Sequence, residues 1–463
     1  MSVIDSSALA GVLEPVLGGV RIDDLRVLTG GASRATWAFT AVTDIRGKRS
    51  DGEWQSGGRE LILRIGPPDE IHAGMELEAA ALTRAAVSGA PVPHVLVADD
   101  SATALGNPYL VCDFIGGETI VRRIQRALDD ASRASLLTEC ADALAAIHQA
   151  DPSDIGLKAS EPLDEWHAQL DEMGDTTATF EWAFRWLAAN RPPVSPNVLV
   201  HGDFRMGNLI IDTDAAPARL AAVLDWELTH MGEVYEDLAW FCIRAWRFGA
   251  PRAFGAGGLG SIEDFLRAYE RASGSALDRG AMHWWLVLST LRWGVICRYQ
   301  AERHLSGQTR SVELAAIGRR VCETEFDLLT LVAGGQERSD PGIVAARVMT
   351  GLHGRPTAAE LVAAVAEFLE TDVRNGTRPN GRLADEGSVR FHARVAANVL
   401  RTVERELLDD TAAPELLGYP DERELAAAIR RGELDSRGPE LLPVLRSLVH
   451  HRLAVAHPGY EHE

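Results

Sequence analysis

The stretch His201-Gly202-Asp203-Phe204-Arg205-Met206-Gly207-Asn208, continued by Leu209-Ile210-Ile211-Asp212 and later by Val223-Leu224-Asp225-Trp226-Glu227, decides how this chain is read. Asp203 and Asn208 stand five residues apart across a loop that contains Gly202 and Gly207. Asp225 ends an apolar run that can pair as a strand with the run Asn208 opens, and such a hairpin would carry Asn208 and Asp225 to one end of a small sheet. Hard oxygen donors without nearby cysteines or clustered histidines favour Mg2+ over zinc. Phosphoryl transfer needs a carboxylate to orient an attacking hydroxyl and take its proton, and oxygen ligands for metal ions that neutralise the phosphates. Asp203 has the residue type for the first task, Asn208 and Asp225 for the second. Asp and Asn also favour turns and caps, so each alone is ordinary; the three in this order are not.

With those residues in view, HGDFRMGN followed by VLDWE resembles the catalytic loop and metal-binding segment of the aminoglycoside phosphotransferase and choline kinase family. The fold implied is α+β, a bilobal protein-kinase-like fold with a small β-rich N-lobe and a helical C-lobe. The resemblance covers about residues 20 to 330. Leu28-Thr29-Gly30-Gly31-Ala32-Ser33-Arg34 resembles the loop that covers nucleotide phosphates, which makes Gly31 and Ser33 cofactor-binding candidates. Leu61-Ile62-Leu63-Arg64-Ile65 resembles the strand that presents a cation to the phosphates, with Glu78 as its helical partner. Tyr109 to Phe114 resembles the interlobe hinge that bonds adenine through its backbone, and Asp113 and Phe114 are assigned there. Gly232 with Glu236-Asp237-Leu238-Ala239 resembles the segment whose acid braces the catalytic loop, although Glu233 replaces the aspartate usual after the glycine.

The resemblance implies ATP and Mg2+ as cofactors, Asp203 as catalytic residue, and Asn208 and Asp225 as metal ligands. Arg205 either holds phosphate or braces Asp203; His201 reads as a structural residue beneath the loop. Arg64 stands where many members carry lysine. It keeps the charge and can bond phosphate bidentately, but a planar fork is not an ammonium. That departure favours the rival reading, a nucleotide-binding pseudokinase or regulatory protein. Similarity to the branch associated with acyl-CoA dehydrogenases implies a hydroxyacyl-CoA or related alcohol as acceptor. An aminoglycoside, sugar or amino-alcohol is the alternative, and an acyl-CoA dehydrogenase or a second copy of the chain is the implied partner.

Composition bounds the rest. The 463 residues exceed one ordinary core. With 46 Lys+Arg against 67 Asp+Glu, the net charge of -21 opposes nucleic-acid and anionic membrane partners. The start, MSVIDSSALAGVLEPVLGGV, carries Asp5 and Glu14 and no basic segment, and no apolar run approaches the roughly 20 residues a bilayer requires. The five scattered cysteines read as buried, reduced thiols of a cytoplasmic protein. The segment Gly255-Ala256-Gly257-Gly258-Leu259-Gly260 satisfies G-x-G-x-x-G, but no strand precedes it; it reads as a flexible loop over the substrate cleft. Among the later tryptophans, Trp240, Trp246, Trp284, Trp285 and Trp293 read mostly as core. Arg244, Arg247, Arg252, Arg292 and Arg298 in the same region suit an anionic acceptor better than a polycation.

The expected organisation is a kinase-like domain over residues 1–335, with an N-lobe at about 20–118 and a C-lobe at about 119–335. A linker-like stretch at 334–342 separates it from an all-α unit over 341–463. In that unit Thr357 and Glu360 form a capping-box pattern, and an amphipathic run starts at Ser388.

Overall fold

Short β-branched and apolar runs near the start of the chain pair into a five-stranded antiparallel sheet of order β1-β2-β3-β5-β4. Its strands are β1 (Val20–Leu28), β2 (Ala35–Thr43), β3 (Gly57–Ile65), β4 (Val95–Asp99) and β5 (Tyr109–Asp113). The computed structural model describes residues 4–28, 34–43, 57–66, 73–159, 161–334, 352–374 and 386–462. Helix α1 (Ser6–Leu17), not anticipated from the sequence, starts at Asp5, whose carboxylate accepts the N–H of Ser7. It buries Leu9 and Leu13 against Phe39, Leu61, Leu63 and Val111 of the sheet, worth about 1.5–3 kcal/mol for each leucine. Helix α2 (Met75–Val87) lies between β3 and β4 in sequence and brings the fully buried Glu78 to the sheet.

After β5 the chain turns helical. Helices α3 (Val121–Ala127) and α4 (Asp130–Gln149) follow, and α4 buries the expected stripe of Leu136, Leu137, Cys140, Leu144 and Ile147. Next come α5 (Pro162–Glu172) and α6 (Ala178–Ala189), then four short strands: β6 (Val198–Val200), β7 (Leu209–Asp212), β8 (Arg219–Val223) and β9 (His230–Gly232). These form two antiparallel pairs, β6 with β9 and β7 with β8. Helices α7 (Val234–Cys242), α8 (Ile262–Ser273) and α9 (Arg279–Leu305) complete this part. The glycine-rich segment before α8 is packed, not a flexible loop. Ala256, Gly257, Gly258 and Leu259 are buried, and the N–H of Gly257 donates to the carbonyl of Phe241 at 3.0 Å. Gly257 has φ +57°, and a Cβ there would meet the Phe241 ring at 2.2 Å, so only glycine fits.

The chain gathers into two compact units, Met1–Ser160 with Pro193–Met282, and Glu161–Pro192 with His283–Glu463. The second adds α10 (Val312–Gly318), α11 (Val321–Ala333), α12 (Ala358–Phe368), α13 (Glu386–Leu408), α14 (Glu422–Arg430) and α15 (Gly438–Ala456). The capping box at Thr357 and Glu360 is formed. Cys322 and Leu329 of α11 and Ala178 of α6 share one apolar core with Leu425 and Ile429 of α14 and Leu445, Leu448 and Leu453 of α15. Helix α6 thus packs with segments more than two hundred residues later. Most of the linker-like stretch, residues 335–342, lies outside the described residues. Inside this core Arg452 bonds both carboxylate oxygens of Glu325 at 2.9 and 3.0 Å, the carboxylate of Glu422 and the carbonyl of Leu352. All five cysteines are buried and free, and no helix among the described residues is long and apolar enough to cross a membrane.

Candidate active site

The loop after β6 is fixed by a carboxylate beneath it. Asp237, on the first turn of α7, is fully buried and accepts the backbone N–H groups of His201 at 2.8 Å and Gly202 at 2.9 Å. His148 of α4 bonds the same carboxylate through Nε2 at 3.2 Å, while its Nδ1 meets the Tyr269 hydroxyl at 2.8 Å. Burial alone would raise the Asp237 carboxyl. The hydrogen bond from His148, the neighbouring His148 and His201 rings and the backbone donor outweigh burial and hold it below the ordinary carboxylate value. Gly202 has φ +84°, and a Cβ there would lie 2.4 Å from the carbonyl oxygen of Leu228, so the loop's sharp turn requires glycine.

His201, fully buried, takes the expected structural role. Its Nδ1 accepts the N–H of Asp203 at 3.1 Å, which leaves Nε2–H to donate to the carbonyl of Leu224 at 2.9 Å. The ring therefore ties the loop to the segment that carries Asp225. The β7–β8 hairpin makes the second tie: Leu209 pairs with Val223, and the N–H of Leu224 donates to the carbonyl of Asn208 at 2.8 Å. Asn208 and Asp225 consequently stand at the same end of the hairpin. Asp225 is held with φ +68°, a left-handed conformation uncommon outside glycine, asparagine and aspartate.

Three donors converge on Asp203. Trp240 Nε1 donates to Oδ1 at 2.7 Å, Arg205 Nε spans both oxygens at 3.0 and 3.1 Å, and Asn208 Nδ2 donates to Oδ2 at 2.7 Å. Asn208 Nδ2 also donates to the Asp203 carbonyl at 2.9 Å. This network commits the amide nitrogen and leaves Oδ1 as the atom of Asn208 able to ligate a cation. Arg205 lies over the Trp246 ring, 4.9 Å from its centroid, and Trp246 packs edge-on against Trp240. Arg205 thus bonds Asp203 in this arrangement.

On the sheet side, β3 is paired on both edges, Arg64 standing opposite Thr36 and Leu110. Arg64 donates to Glu78 Oε1, reaches Asp225 Oδ1 at 2.8 Å and has Glu227 at 3.6 Å. Burial would lower its pKa, but Glu78, Asp225 and Glu227 outweigh burial and hold it above the ordinary arginine value. For Glu78 burial prevails over Arg64 and Arg34, and the carboxyl is raised. The expected pair of Arg64 with Glu78 is formed, and the same guanidinium lies on a candidate metal ligand. Hard-oxygen donors at Asn208 and Asp225 match Mg2+, which is ordinarily held by one or two carboxylates together with substrate phosphates.

Asp113 and Phe114 lie at the end of β5. The N–H of Asp113 donates to the carbonyl of His94 and that of Phe114 to the carbonyl of Glu60, while the Asp113 carboxylate bonds Arg59 at 2.7 Å. Both N–H groups are thus engaged within the chain. Gly31 and Ser33 lie outside the described residues.

Two members of the constellation escaped the sequence reading. Trp240 was assigned to core, yet it stands one helical turn after Asp237 on α7, and that i,i+3 spacing from the bracing acid was the available signal. Arg34 carries no spacing signal; only the fold brings it to Glu78, at 2.5 Å. The later aromatic and basic residues divide. Trp240 and Trp246 belong to the site. In the second unit Trp284 Nε1 bonds the carbonyl of Leu187 at 2.9 Å, Arg298 pairs with Asp175, and Arg292 lies over Trp166. Arg292 and Arg298 are thus engaged within that unit, which weakens the charge argument drawn from all five arginines.

A family model described as Phosphotransferase enzyme family matches residues 24–285, and one described as Domain of unknown function (DUF6285) matches residues 383–460. The chain is 26% identical over 298 residues to acyl-CoA dehydrogenase family member 10 of Mus musculus, covering 59% of this chain and 27% of that protein. It is 26% identical over 306 residues to acyl-CoA dehydrogenase family member 11 of Gallus gallus, covering 59% and 38%. The chain therefore spans well under half the length of these relatives. A solved Ralstonia eutropha structure, provisionally described as an aminoglycoside phosphotransferase, aligns with a TM-score of 0.56 at 21% identity, covering 72% of this chain and 100% of that one. At that identity the likeness concerns the fold, the bilobal kinase-like one.

Proposed function

Because the chain belongs to the phosphotransferase enzyme family, we propose that it moves the γ-phosphoryl group of ATP to a hydroxyl of a small molecule. The observation that carries this reading is the gathering of Asp203, Asn208 and Asp225 around one hairpin end, with Arg64 bonded to Asp225. ATP with Mg2+ supplies the phosphoryl donor and neutralises its charge when bound.

In this reading Asp203 orients the acceptor hydroxyl and takes its proton on a carboxylate oxygen. Trp240 and Asn208 keep the carboxylate aimed, and Asp237 with His148 keeps the loop in place. Arg205, the most exposed of the donors on Asp203, gives way to the hydroxyl and turns to the transferred phosphate. Asn208 through Oδ1 and Asp225 through its carboxylate would hold Mg2+, and Arg64 would offer the nitrogen now on Asp225 to the phosphates. Catalysis of this kind is mainly alignment and charge neutralisation.

For the acceptor we propose a hydroxyacyl-CoA or a related anionic alcohol. The names of the relatives matched over 59% of the chain point that way, and the Trp246 and Arg205 face beside Asp203 suits an anion with apolar parts better than a polycation. Purified protein incubated with Mg2+ and ATP and offered hydroxyacyl-CoAs, aminoglycosides, sugars and amino-alcohols is expected to give a phosphorylated hydroxyacyl thioester by mass spectrometry. Transfer to aminoglycosides alone would reverse the choice of acceptor. Turnover by no acceptor, with Asp203→Asn indistinguishable from wild type, would favour the nucleotide-binding pseudokinase.

A further inference from the structure

Glu78 is fully buried and its two oxygens are divided between two arginines. Arg64 takes Oε1, and Arg34 takes Oε2 at 2.5 Å. Arg34 is itself buried; it also donates to the carbonyl of Ala73, which leads into α2, and meets Met75 Sδ at 3.3 Å. Its aliphatic stem lies against Gly66, where a Cβ would stand 3.3 Å from Arg34 Cγ. Arg64 by contrast has Asp225 and Glu227 as alternative partners and a more exposed side chain.

The arrangement answers an electrostatic difficulty. Arg64 holds Glu78 and Asp225 through different nitrogens, so turning the second nitrogen to a phosphate leaves the buried Glu78 a single bond to Arg64, and a buried carboxylate needs its other oxygen satisfied as well. We infer that Arg34 is a positioning residue that holds the second oxygen of Glu78, and with it the start of α2, so that Arg64, anchored on Glu78 by one nitrogen, presents the other to the nucleotide phosphates. This rests on the phosphotransferase reading, and it assigns Arg34 no contact with substrate.

The test is calorimetric binding of Mg2+ with the non-hydrolysable ATP analogue AMPPNP, together with melting temperature, for wild type, Arg34→Met, Arg34→Lys, Glu78→Gln and the double variant Arg34→Met/Glu78→Gln. Arg34→Met is expected to weaken binding about tenfold, in line with measured couplings between charges in one network. Arg34→Lys should recover part of the loss, because its ammonium can still pair with Oε2. Adding Arg34→Met to Glu78→Gln should weaken binding less than about twofold further, since Arg34 acts through Glu78. A merely structural Arg34 would lower the melting temperature and leave affinity unchanged. That outcome, or full additivity of the two substitutions, overturns the inference while the phosphotransferase reading stands. Absence of nucleotide binding by wild type overturns both.

Discussion

Two arginines held among carboxylates, one in each compact unit, show how similar chemistry serves different ends. Arg452 has two acidic partners and a carbonyl around it, with Glu325 fully buried and Glu422 15% exposed. Arg64 also lies among carboxylates, but Asp225 is 35% exposed and sits at a hairpin end with the donor set of a cation site. The first cluster is closed, and a ligand could only disrupt it. The second is a resting arrangement whose partners have somewhere else to go. Buried charge by itself therefore does not mark a site; what marks it is a carboxylate that still faces solvent.

That contrast can be broken by substitution. On the open side, Asp203→Asn should lower kcat by about 10²–10⁴-fold, the usual worth of a positioned proton acceptor, with the melting temperature nearly unchanged. A turnover assay beside a thermal melt decides it. On the closed side, Arg452→Met strands Glu325 and should cost about 3–5 kcal/mol of stability. Urea denaturation reads that loss, and equal loss from Arg64→Met would erase the distinction between the clusters.

A pH titration sharpens it further. The Asp237 carboxyl is held below its ordinary value, so its stabilising contribution is complete above the unfolded pKa of about 3.9 and is lost as pH falls through the lower folded value. The stability gap between wild type and Asp237→Asn should be flat above about pH 5 and narrow below about pH 4. A gap that instead widens toward acid reverses the sign. The smallest expected effect belongs to Trp240→Phe, which removes one donor to a charged acceptor. A loss of about tenfold in kcat with the KM for ATP unchanged corresponds to about 1.4 kcal/mol, near the lower end for such bonds. An unchanged kcat would return Trp240 to the core role its composition suggested.

The parts of the fold and site that were legible in the sequence are those encoded by short-range pattern. Asn208 and Asp225 flank apolar runs that can pair only as a hairpin, and the loop's glycines announce a turn that side chains cannot make. The stripe on α4 and the capping box at Thr357 are equally local. Arg34 was illegible because its carboxylate partner lies 44 residues away on another element. The glycine-rich segment at 255–260 was misread because small residues that permit flexibility also permit close packing, and only the Phe241 ring decides between the two. Helix α1 has a local signal as well, the standard cap Asp5, although one cap residue alone does not distinguish a helix start from a turn. The partnership of α6 with α14 and α15 lay beyond any periodicity, for the amphipathic stripe of a helix says that it is covered and not by what.

The salt link of Glu181 on α6 with Arg430 on α14 joins positions 249 residues apart. During synthesis α6 must therefore wait on the order of tens of seconds, at ribosomal speeds, before its mate emerges. Over that interval Ala178 and Trp182, which pack with residues of α14 and α15 in the finished protein, lack part of their final cover. A nascent chain stalled after α11 should bind a hydrophobic-patch chaperone, and one extended past α15 should let it go.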